Sequence, residues 1–176
     1  GGEPADGAAA SRDLRCRVDT DISLTYLTVL CRFRGQESRV RDYALRAHEA
    51  AEAAHMPDYV AAAQGNRAWL AWRRQDPLAA EQRGREAVEL WRQSPLIYPF
   101  QWQALWPLIA VALERGRQEE AWAYAEALLE PTQQRLPDAL DAALGAAVQA
   151  KTQDQAEAAH LHLDRALKLA QEMGYL

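Results

Sequence analysis

The amino-acid sequence predicts an all-α protein, and three observations support that prediction. Hydrophobic residues make up 49% of the 176 residues and charged residues 26%, which is typical of a folded domain. Alanine is abundant and β-branched residues are sparse, and Ala, Leu, Glu, Gln and Arg have the highest helix propensities. Helix-breaking residues recur at a step of about 40 residues, and a repeat of that length indicates stacked helical hairpins.

The helix-breaking positions inside the predicted hairpins are Gly35, Gln75, Gly116 and Gln153. The steps between them are 40, 41 and 37 residues. Small residues follow each position five residues later, and mostly again nine and twelve residues later. After Gln153 the last of these, Ala166, comes one position late. Residues at such offsets share one helix face, so they would let the second helix of each hairpin approach the first closely.

Prolines mark the boundaries between the hairpins, because proline is favoured in the first turn of a helix. Asp76, which precedes Pro77, is predicted to cap the helix that follows. The boundary prolines are Pro57, Pro95, Pro99, Pro131 and Pro137. Together these signals predict about four hairpins, with helices over residues 16–34, 37–54, 58–74, 77–93, 99–115, 117–130, 137–151 and 154–173.

The chain is predicted to contain one repeat domain, over residues 16–176. Residues 1–15 are rich in Gly, Ala and Asp and are expected to be a flexible lead-in or a remnant of cloning. Cys16 and Cys31 would lie about 22 Å apart on one helix, which excludes a disulfide between them. Two buried thiols in a reducing compartment are the expectation, so the predicted localisation is cytoplasmic.

Composition also limits the partners that we expect. The formal net charge is −5, which argues against nucleic acid because phosphate binding needs a basic surface. The sequence contains no run of about 18 apolar residues, so no membrane partner is expected.

We expect no enzyme, cofactor or metal site, because the sequence lacks the motifs that carry such chemistry. The four histidines form no HExxH motif, and His160 and His162 would point about 200° apart on a helix. The serines lie in no GxSxG elbow, and no GxxxxGK[ST] loop is present.

Four stretches of the chain resemble a known family of repeats: "LTYLTVLCRFRG", "AWLAWRRQDPLAAEQRGREAVELW", "YPFQWQALWPLIAVALERGR" and "LDRALKLAQEMGYL". Their pattern of small residues after a turn resembles the tetratricopeptide repeat, with a period of about 40 residues here. Longer repeats of this kind are similar to the C-terminal tails of large bacterial regulatory ATPases. These include the maltose-regulon activator and proteins that join a nucleotide-cyclase domain to an ATPase module. The resemblance implies a right-handed α-solenoid that is the C-terminal regulatory part of a signalling or transcription-regulating ATPase.

The aromatic stretch "YPFQWQALWPL", residues 98–108, is the strongest candidate for a binding site. In the tetratricopeptide family the first helices of the hairpins line a concave groove. That analogy places six residues of this sequence in a groove for a partner or ligand: Arg32, Trp69, Trp72, Arg73, Gln103 and Trp106. Tryptophan and arginine together suit a peptide or a small polar ligand. Core packing is the alternative for all the tryptophans, and it is favoured for Trp91, Trp102 and Trp122.

Pro107 leaves two alternatives for the helix that carries this stretch. If the helix spans 99–115, Pro107 removes one amide and frees the carbonyl of Gln103. Otherwise the helix begins near Trp106 and the preceding residues form a long loop.

Two functional hypotheses from different classes follow. The first is a non-catalytic interaction or scaffolding module that binds a protein or peptide, including other domains of its own parent chain. The second is a sensor that binds a small effector in the groove and changes the curvature of the repeats. Self-association into a homo-oligomer is compatible with both, because the end faces of a repeat array are apolar.

Overall fold

The computed structural model describes residues 22–176, and within this range the chain forms eight helices and no strand. The predicted all-α class is therefore confirmed. The first predicted helix is helical over 22–33, while its start, Cys16 and the predicted lead-in lie outside the described residues. The helices are α1 (22–33), α2 (Glu37–Ala53), α3 (Pro57–Arg73), α4 (Pro77–Gln93), α5 (Trp102–Glu114), α6 (Gln118–Leu128), α7 (Asp138–Thr152) and α8 (Ala156–Glu172).

Six of these helices end in the same backbone turn. The second residue after each helix end has a positive φ, and the next amide donates to the carbonyl five residues earlier. The amide of Gln36, for example, lies 2.9 Å from the carbonyl oxygen of Cys31. This turn satisfies the last free carbonyls of a helix, and after five of the six turns the next helix begins two residues beyond the left-handed residue. The left-handed residues are Gly35, His55, Gln75, Gly116, Asp154 and Gly174.

The prediction that Gln153 forms the fourth turn inside a hairpin is wrong by one residue. Gln153 has a φ of −89°, whereas Asp154 has a φ of 58°. Aspartate tolerates the left-handed region better than most residues, because its short side chain can bond locally. Counted from Asp154, Ala159 and Ala166 fall five and twelve residues later, and both are buried. The apparent irregularity of the last repeat therefore disappears.

Small residues bring helices of neighbouring hairpins into close contact, whereas the spacing predicted a close approach within each hairpin. A Cβ atom added to Gly84 of α4 would lie 2.7 Å from the side chain of Leu108 in α5. One added to Gly65 of α3 would lie 3.1 Å from the backbone nitrogen of Ala104, also in α5. Every residue of α5 from 102 to 112 is buried. This helix packs against α3, α4, α6 and α8 and lies at the centre of the core.

Helix α5 begins three residues later than predicted, because residues 99–101 form a turn that is bonded to the loop between α6 and α7. The amide of Gln134, in the loop between α6 and α7, donates to the carbonyl of Pro99 at 2.8 Å. The side chain of Gln133 donates to the carbonyl of Tyr98 and accepts from the amide of Gln101. The alternative in which the helix starts near Trp106 is also wrong, since α5 runs through Pro107 from Trp102.

The C-terminal turn packs against the end of α1. A Cβ atom on Gly174 would lie 2.8 Å from the Cα atom of Phe33 and 3.1 Å from the carbonyl oxygen of Arg32. The rings of Phe33 and Tyr175 have centroids 5.1 Å apart, and Leu176 is buried. The first and last described elements are therefore in direct contact.

Comparing Gly174→Ala with Gly116→Ala distinguishes the cost of losing this close contact from the cost of backbone strain alone. Both glycines have a positive φ, but only Gly174 has backbone atoms of another element against it. We expect Gly116→Ala to lower the free energy of unfolding by about 1 kcal/mol, the cost of a left-handed alanine. Gly174→Ala should cost at least about twice as much. Urea unfolding of both variants measures this, and equal losses would contradict the close contact with α1.

Candidate functional site

The side chain of Arg32 is fully buried where α1, α3, α5 and the C-terminal turn meet. Its Nη1 atom donates to the carbonyl of Gln103 at 2.9 Å and to Oδ1 of Asn66 at 3.2 Å. Its Nε atom donates to the carbonyl of Gly174 at 3.3 Å, and Nη2 donates to the carbonyl of Tyr175. One guanidinium thus crosslinks segments that are up to 143 residues apart in the chain.

No carboxylate of the described chain pairs with Arg32, and its charge is balanced in other ways. Burial lowers the pKa of the Arg32 guanidinium well below its usual value. Arginine nevertheless keeps its proton in proteins, so the charge must be stabilised by dipoles. Neutral carbonyls supply part of this stabilisation. The rings of Trp69 and Trp102 supply another part, with centroids 5.3 and 5.0 Å from the guanidinium carbon.

Pro107 explains why the carbonyl of Gln103 is available to Arg32. An amide at position 107 would bond this carbonyl within α5, but proline has none. The sequence predicts this free carbonyl, and the structure shows that Arg32 occupies it at 2.9 Å. A proline in the middle of a buried helix is therefore accommodated by a side chain from α1.

The six residues predicted to line a groove lie mostly inside the protein. Four of them are fully or almost fully buried. The exposed fraction is 0% for Arg32, Trp69 and Trp106 and 2% for Gln103. The expectation that these four side chains face an open groove is therefore wrong. The remaining two are Trp72, which is half-buried against the core, and Arg73, which is exposed. The physical reason is that these side chains of α1, α3 and α5 point toward neighbouring helices and fill the space between them.

Several of the six residues are nevertheless brought together. Arg73 lies over the ring of Trp69 at 5.5 Å and forms an ion pair of 3.3 Å with Glu37. Trp69 therefore contacts Arg73 near the surface and Arg32 in the interior. The Nε1 atoms of Trp69 and Trp106 have no acceptor among the described residues. The predicted cluster exists, but it is a packing cluster below the surface.

A second set of residues, which shares only Gln103 with the predicted six, forms an aromatic pocket beside this cluster. The cavity has a volume of about 140 Å³ and receives side chains from α1, α3, α5, two loops and the C-terminal turn. Both phenylalanines and four of the six tyrosines of the chain line it. The lining residues are Thr25, Tyr26, Val29, Phe33, Tyr59, Tyr98, Phe100, Trp102, Gln103, Gln134 and Tyr175.

Stacked rings form the walls of the aromatic pocket. The rings of Phe33 and Trp102 are nearly parallel, with centroids 5.5 Å apart, and Trp102 and Tyr175 are 4.7 Å apart. On the other side Tyr98 makes edge contacts with Tyr59 at 6.1 Å and with Phe100 at 5.6 Å. Trp102 belongs to both structures, because its ring lies over Arg32 and also lines the pocket. The buried arginine therefore positions one wall of the pocket.

A few uncharged polar groups reach the pocket. The Nε1 atom of Trp102 donates to Oε1 of Gln134 at 3.0 Å, which fixes the indole. The hydroxyl of Thr25 is buried and has no partner among the described residues. Burial raises the pKa of Tyr98, with a further increase from Tyr59, so the phenol stays protonated and can donate a hydrogen bond.

The size of the pocket suits a single apolar group. An apolar cavity of about 150 Å³ is large enough for a single ring such as benzene. No charged side chain lines this pocket, so it offers no acid, base or anion site of its own. Aromatic walls with a hydroxyl and two amides suit an aromatic or aliphatic group that carries at most one polar atom.

The sequence argument did not find most of this pocket. Tyr98, Phe100 and Trp102 belong to the highlighted aromatic stretch, but Tyr26 and Tyr175 come from opposite ends of the described chain. The one sequence feature that pointed to the pocket was the position of several aromatic residues, such as Phe33, Phe100 and Tyr175, near helix ends. No spacing rule joins residues that far apart.

Comparison with protein-family models, with curated proteins and with solved structures finds no match to this chain. Among the described residues no three His, Cys, Asp or Glu side chains are placed to hold a metal ion. None of the described helices has the length and apolar character needed to cross a membrane.

Replacing Arg32 tests the buried crosslink. Arg32→Met would leave three carbonyls and the Asn66 side chain without their donor, and each unpaired group costs about 1 to 3 kcal/mol. We expect the free energy of unfolding to fall by about 3 kcal/mol or more. The control Arg34→Met removes the same charge from an exposed position two residues away. Urea unfolding that gives both variants the same stability would contradict the role of Arg32.

The raised pKa of Tyr98 predicts a dependence of stability on alkaline pH. An unfolded tyrosine titrates at about pH 10, whereas folded Tyr98 keeps its proton beyond that pH. The neutral phenol is therefore favoured by folding, and its contribution is lost as the pH rises above about 10. We expect the free energy of unfolding to decrease less steeply above pH 10 in Tyr98→Phe. Identical slopes in urea titrations of both proteins would show that Tyr98 is not shielded from solvent.

Proposed function

We propose that this chain is a non-catalytic interaction module that binds a protein segment through the aromatic pocket. The bound segment inserts one aromatic or large aliphatic side chain, and its backbone bonds to groups at the pocket rim. The observation that supports this proposal most directly is the lining of the pocket. Seven aromatic rings converge on a cavity of about 140 Å³ that opens to solvent beside Tyr26, which is 61% exposed.

Rings of this kind are typical anchors of protein interfaces. Aromatic side chains supply a large contact area at a small entropic cost, and most binding energy at interfaces comes from a few central pockets. Further apolar side chains lie on the outer face of α1 near the pocket. Leu27 and Leu30 are 40% and 50% exposed, and they would extend the contact beyond the anchor.

The proposal extends to the architecture and to the parent protein. We propose that the hairpins form a right-handed tetratricopeptide-like solenoid. The left-handed turns at Gly35, Gln75, Gly116 and Asp154, at steps of 40, 41 and 38 residues, support this arrangement. By resemblance, the module would be the C-terminal regulatory part of a signalling or transcription-regulating ATPase in the bacterial cytoplasm. The segment that it binds would then belong to a partner protein or to another domain of the same parent, and self-association would use the same apolar surface.

One observation favours a second candidate, a sensor of a small effector. The pocket receives Phe33 from α1 and Tyr175 from the C-terminal turn, so a ligand in the pocket would contact both ends of the described chain. A ligand that binds best when Phe33 and Tyr175 are in contact would shift the population toward that arrangement. An attached domain would then respond to the relative position of the two ends.

The test of this function begins with peptides selected against the chain from a random displayed library. We expect the selected sequences to share one aromatic or large aliphatic residue. Tyr26→Ala should weaken the binding of a selected peptide at least about tenfold, because it removes an exposed wall of the pocket. The control Leu161→Ala removes a side chain that is 69% exposed on α8 and lies outside the pocket. Calorimetric titration of the three proteins measures the affinities.

Two outcomes would overturn the interaction module. Equal affinities for all three proteins would place the binding surface elsewhere. A library that yields no peptide, while p-cresol raises the melting temperature of the parent chain but not of Tyr26→Ala, would favour the sensor. In that case the pocket would be the site of a small ring compound.

A further inference from the structure

A second groove lies on the other side of α3. It runs between α2 and α4, which do not pack directly against each other in the described chain, and α3 forms its floor. Its volume is about 310 Å³, which falls within the range of about 300 to 1,000 Å³ seen for small-molecule sites. Leu70, Ala71 and Ala79 provide an apolar floor.

The groove concentrates arginines that have no acidic partner. Arg41 of α2, Arg67 of α3, Arg74 at the end of α3 and Arg83 of α4 line it, and none forms an ion pair within the described chain. Elsewhere in the described chain six of the eleven arginines form ion pairs with carboxylates: Arg73, Arg85, Arg92, Arg115, Arg117 and Arg135. A chain with a net charge of −5 therefore leaves four positive charges together at one place.

The acidic groups near the groove are already engaged. Asp76, which also lines it, accepts from the amide of Ala79 at 3.0 Å and so caps α4, as the sequence predicts. Glu86 accepts from the side-chain amides of Gln64 at 2.8 Å and Gln82 at 3.1 Å. Both carboxylates lower the positive potential, but neither lies within ion-pair distance of an arginine in the groove.

Two of the arginines converge on a single neutral oxygen. The Nη1 atoms of Arg67 and Arg83 lie 3.2 and 3.4 Å from Oε1 of Gln64. Burial lowers the pKa of Arg67, and the charge of Arg83 lowers it further, so the two cations repel each other. An oxygen held between two guanidinium groups is the arrangement with which arginines bind oxyanions. Gln64 occupies the position that an anionic oxygen would take.

We propose that this groove binds a small organic anion that carries a phosphoryl group. The phosphoryl oxygens displace the amide of Gln64 and accept from Arg67 and Arg83, while Arg41 and Arg74 contact further negative charge at the rim. A phosphoryl group carries up to about two negative charges and three acceptor oxygens, so it can bond both converging arginines at once. The apolar part of the ligand covers Leu70 and Ala71. This site is separate from the aromatic pocket and does not depend on its function.

The test uses phenyl phosphate, which combines a phosphoryl group with a small ring, in calorimetric titrations at low ionic strength. We expect phenyl phosphate to bind the parent chain and to bind Arg67→Gln/Arg83→Gln at least tenfold more weakly. Circular dichroism checks the fold of that variant, since both arginines are half-buried. A second variant, Arg41→Gln/Arg74→Gln, changes only exposed side chains and should weaken binding at least threefold. The control Arg39→Gln/Arg165→Gln removes two exposed charges outside the groove and should leave the affinity unchanged.

Each other outcome would overturn the proposal. Equal weakening in the control variant would show a general effect of charge rather than a site. Inorganic phosphate that binds as tightly as phenyl phosphate would exclude a role for the apolar floor. A hexaglutamate peptide that binds more tightly than phenyl phosphate would assign the groove to an acidic segment of a partner protein. If millimolar phenyl phosphate produces no heat in calorimetry and shifts no nuclear magnetic resonance signal of the protein, the groove does not bind ligands of this class.

Discussion

The rest of the structure depends on the hydrogen bonds that the buried guanidinium of Arg32 donates. It lies in the core without a carboxylate and donates to three backbone carbonyls and to Asn66. Without Arg32, each of these acceptor oxygens would be left unpaired, either buried in the core or exposed by a local opening of the structure. Because an unpaired buried group is costly, the α1 segment, α3, α5 and the C-terminal turn are constrained to meet at one point.

The aromatic pocket is a consequence of this meeting point. Alanine and glycine let the helix backbones approach closely where they stand, and tryptophan and leucine side chains fill the remaining space between helices. Both phenylalanines and three of the six tyrosines, Tyr59, Tyr98 and Tyr175, lie near helix ends or in loops. The rings of Trp102 and Tyr175 lie beside Arg32, and the same rings form a wall of the pocket. The stability of the core and the shape of the binding surface are thus linked through one residue.

Local sequence signals predicted the all-α class and the approximate helix bounds, because helix propensity, caps and turns act over a few residues. The helix bounds, the cap at Asp76 and the free carbonyl that Pro107 leaves on Gln103 all follow from such signals. The aromatic pocket could not be predicted from local signals, because its walls come from five separate segments of the chain. Trp69 and Trp106 illustrate the limit: helical spacing places them on the first helices of hairpins, but whether that face meets solvent depends on the neighbouring hairpin. The burial of a side chain depends on how the hairpins pack together, so it could not be predicted from helical spacing alone.

The most direct test of this account is the nuclear magnetic resonance signal of the Arg32 Nε–H group, assigned by its loss in an Arg32→Lys variant. The account predicts a resolved signal that exchanges slowly with water and shows cross-relaxation to the ring protons of Trp69 and Trp102. Exposed arginines such as Arg34 and Arg39 serve as fast-exchanging references in the same spectrum. An Arg32 signal that exchanges as fast as theirs, or that shows no contact with either indole, would contradict the buried crosslink and the pocket wall that depends on it.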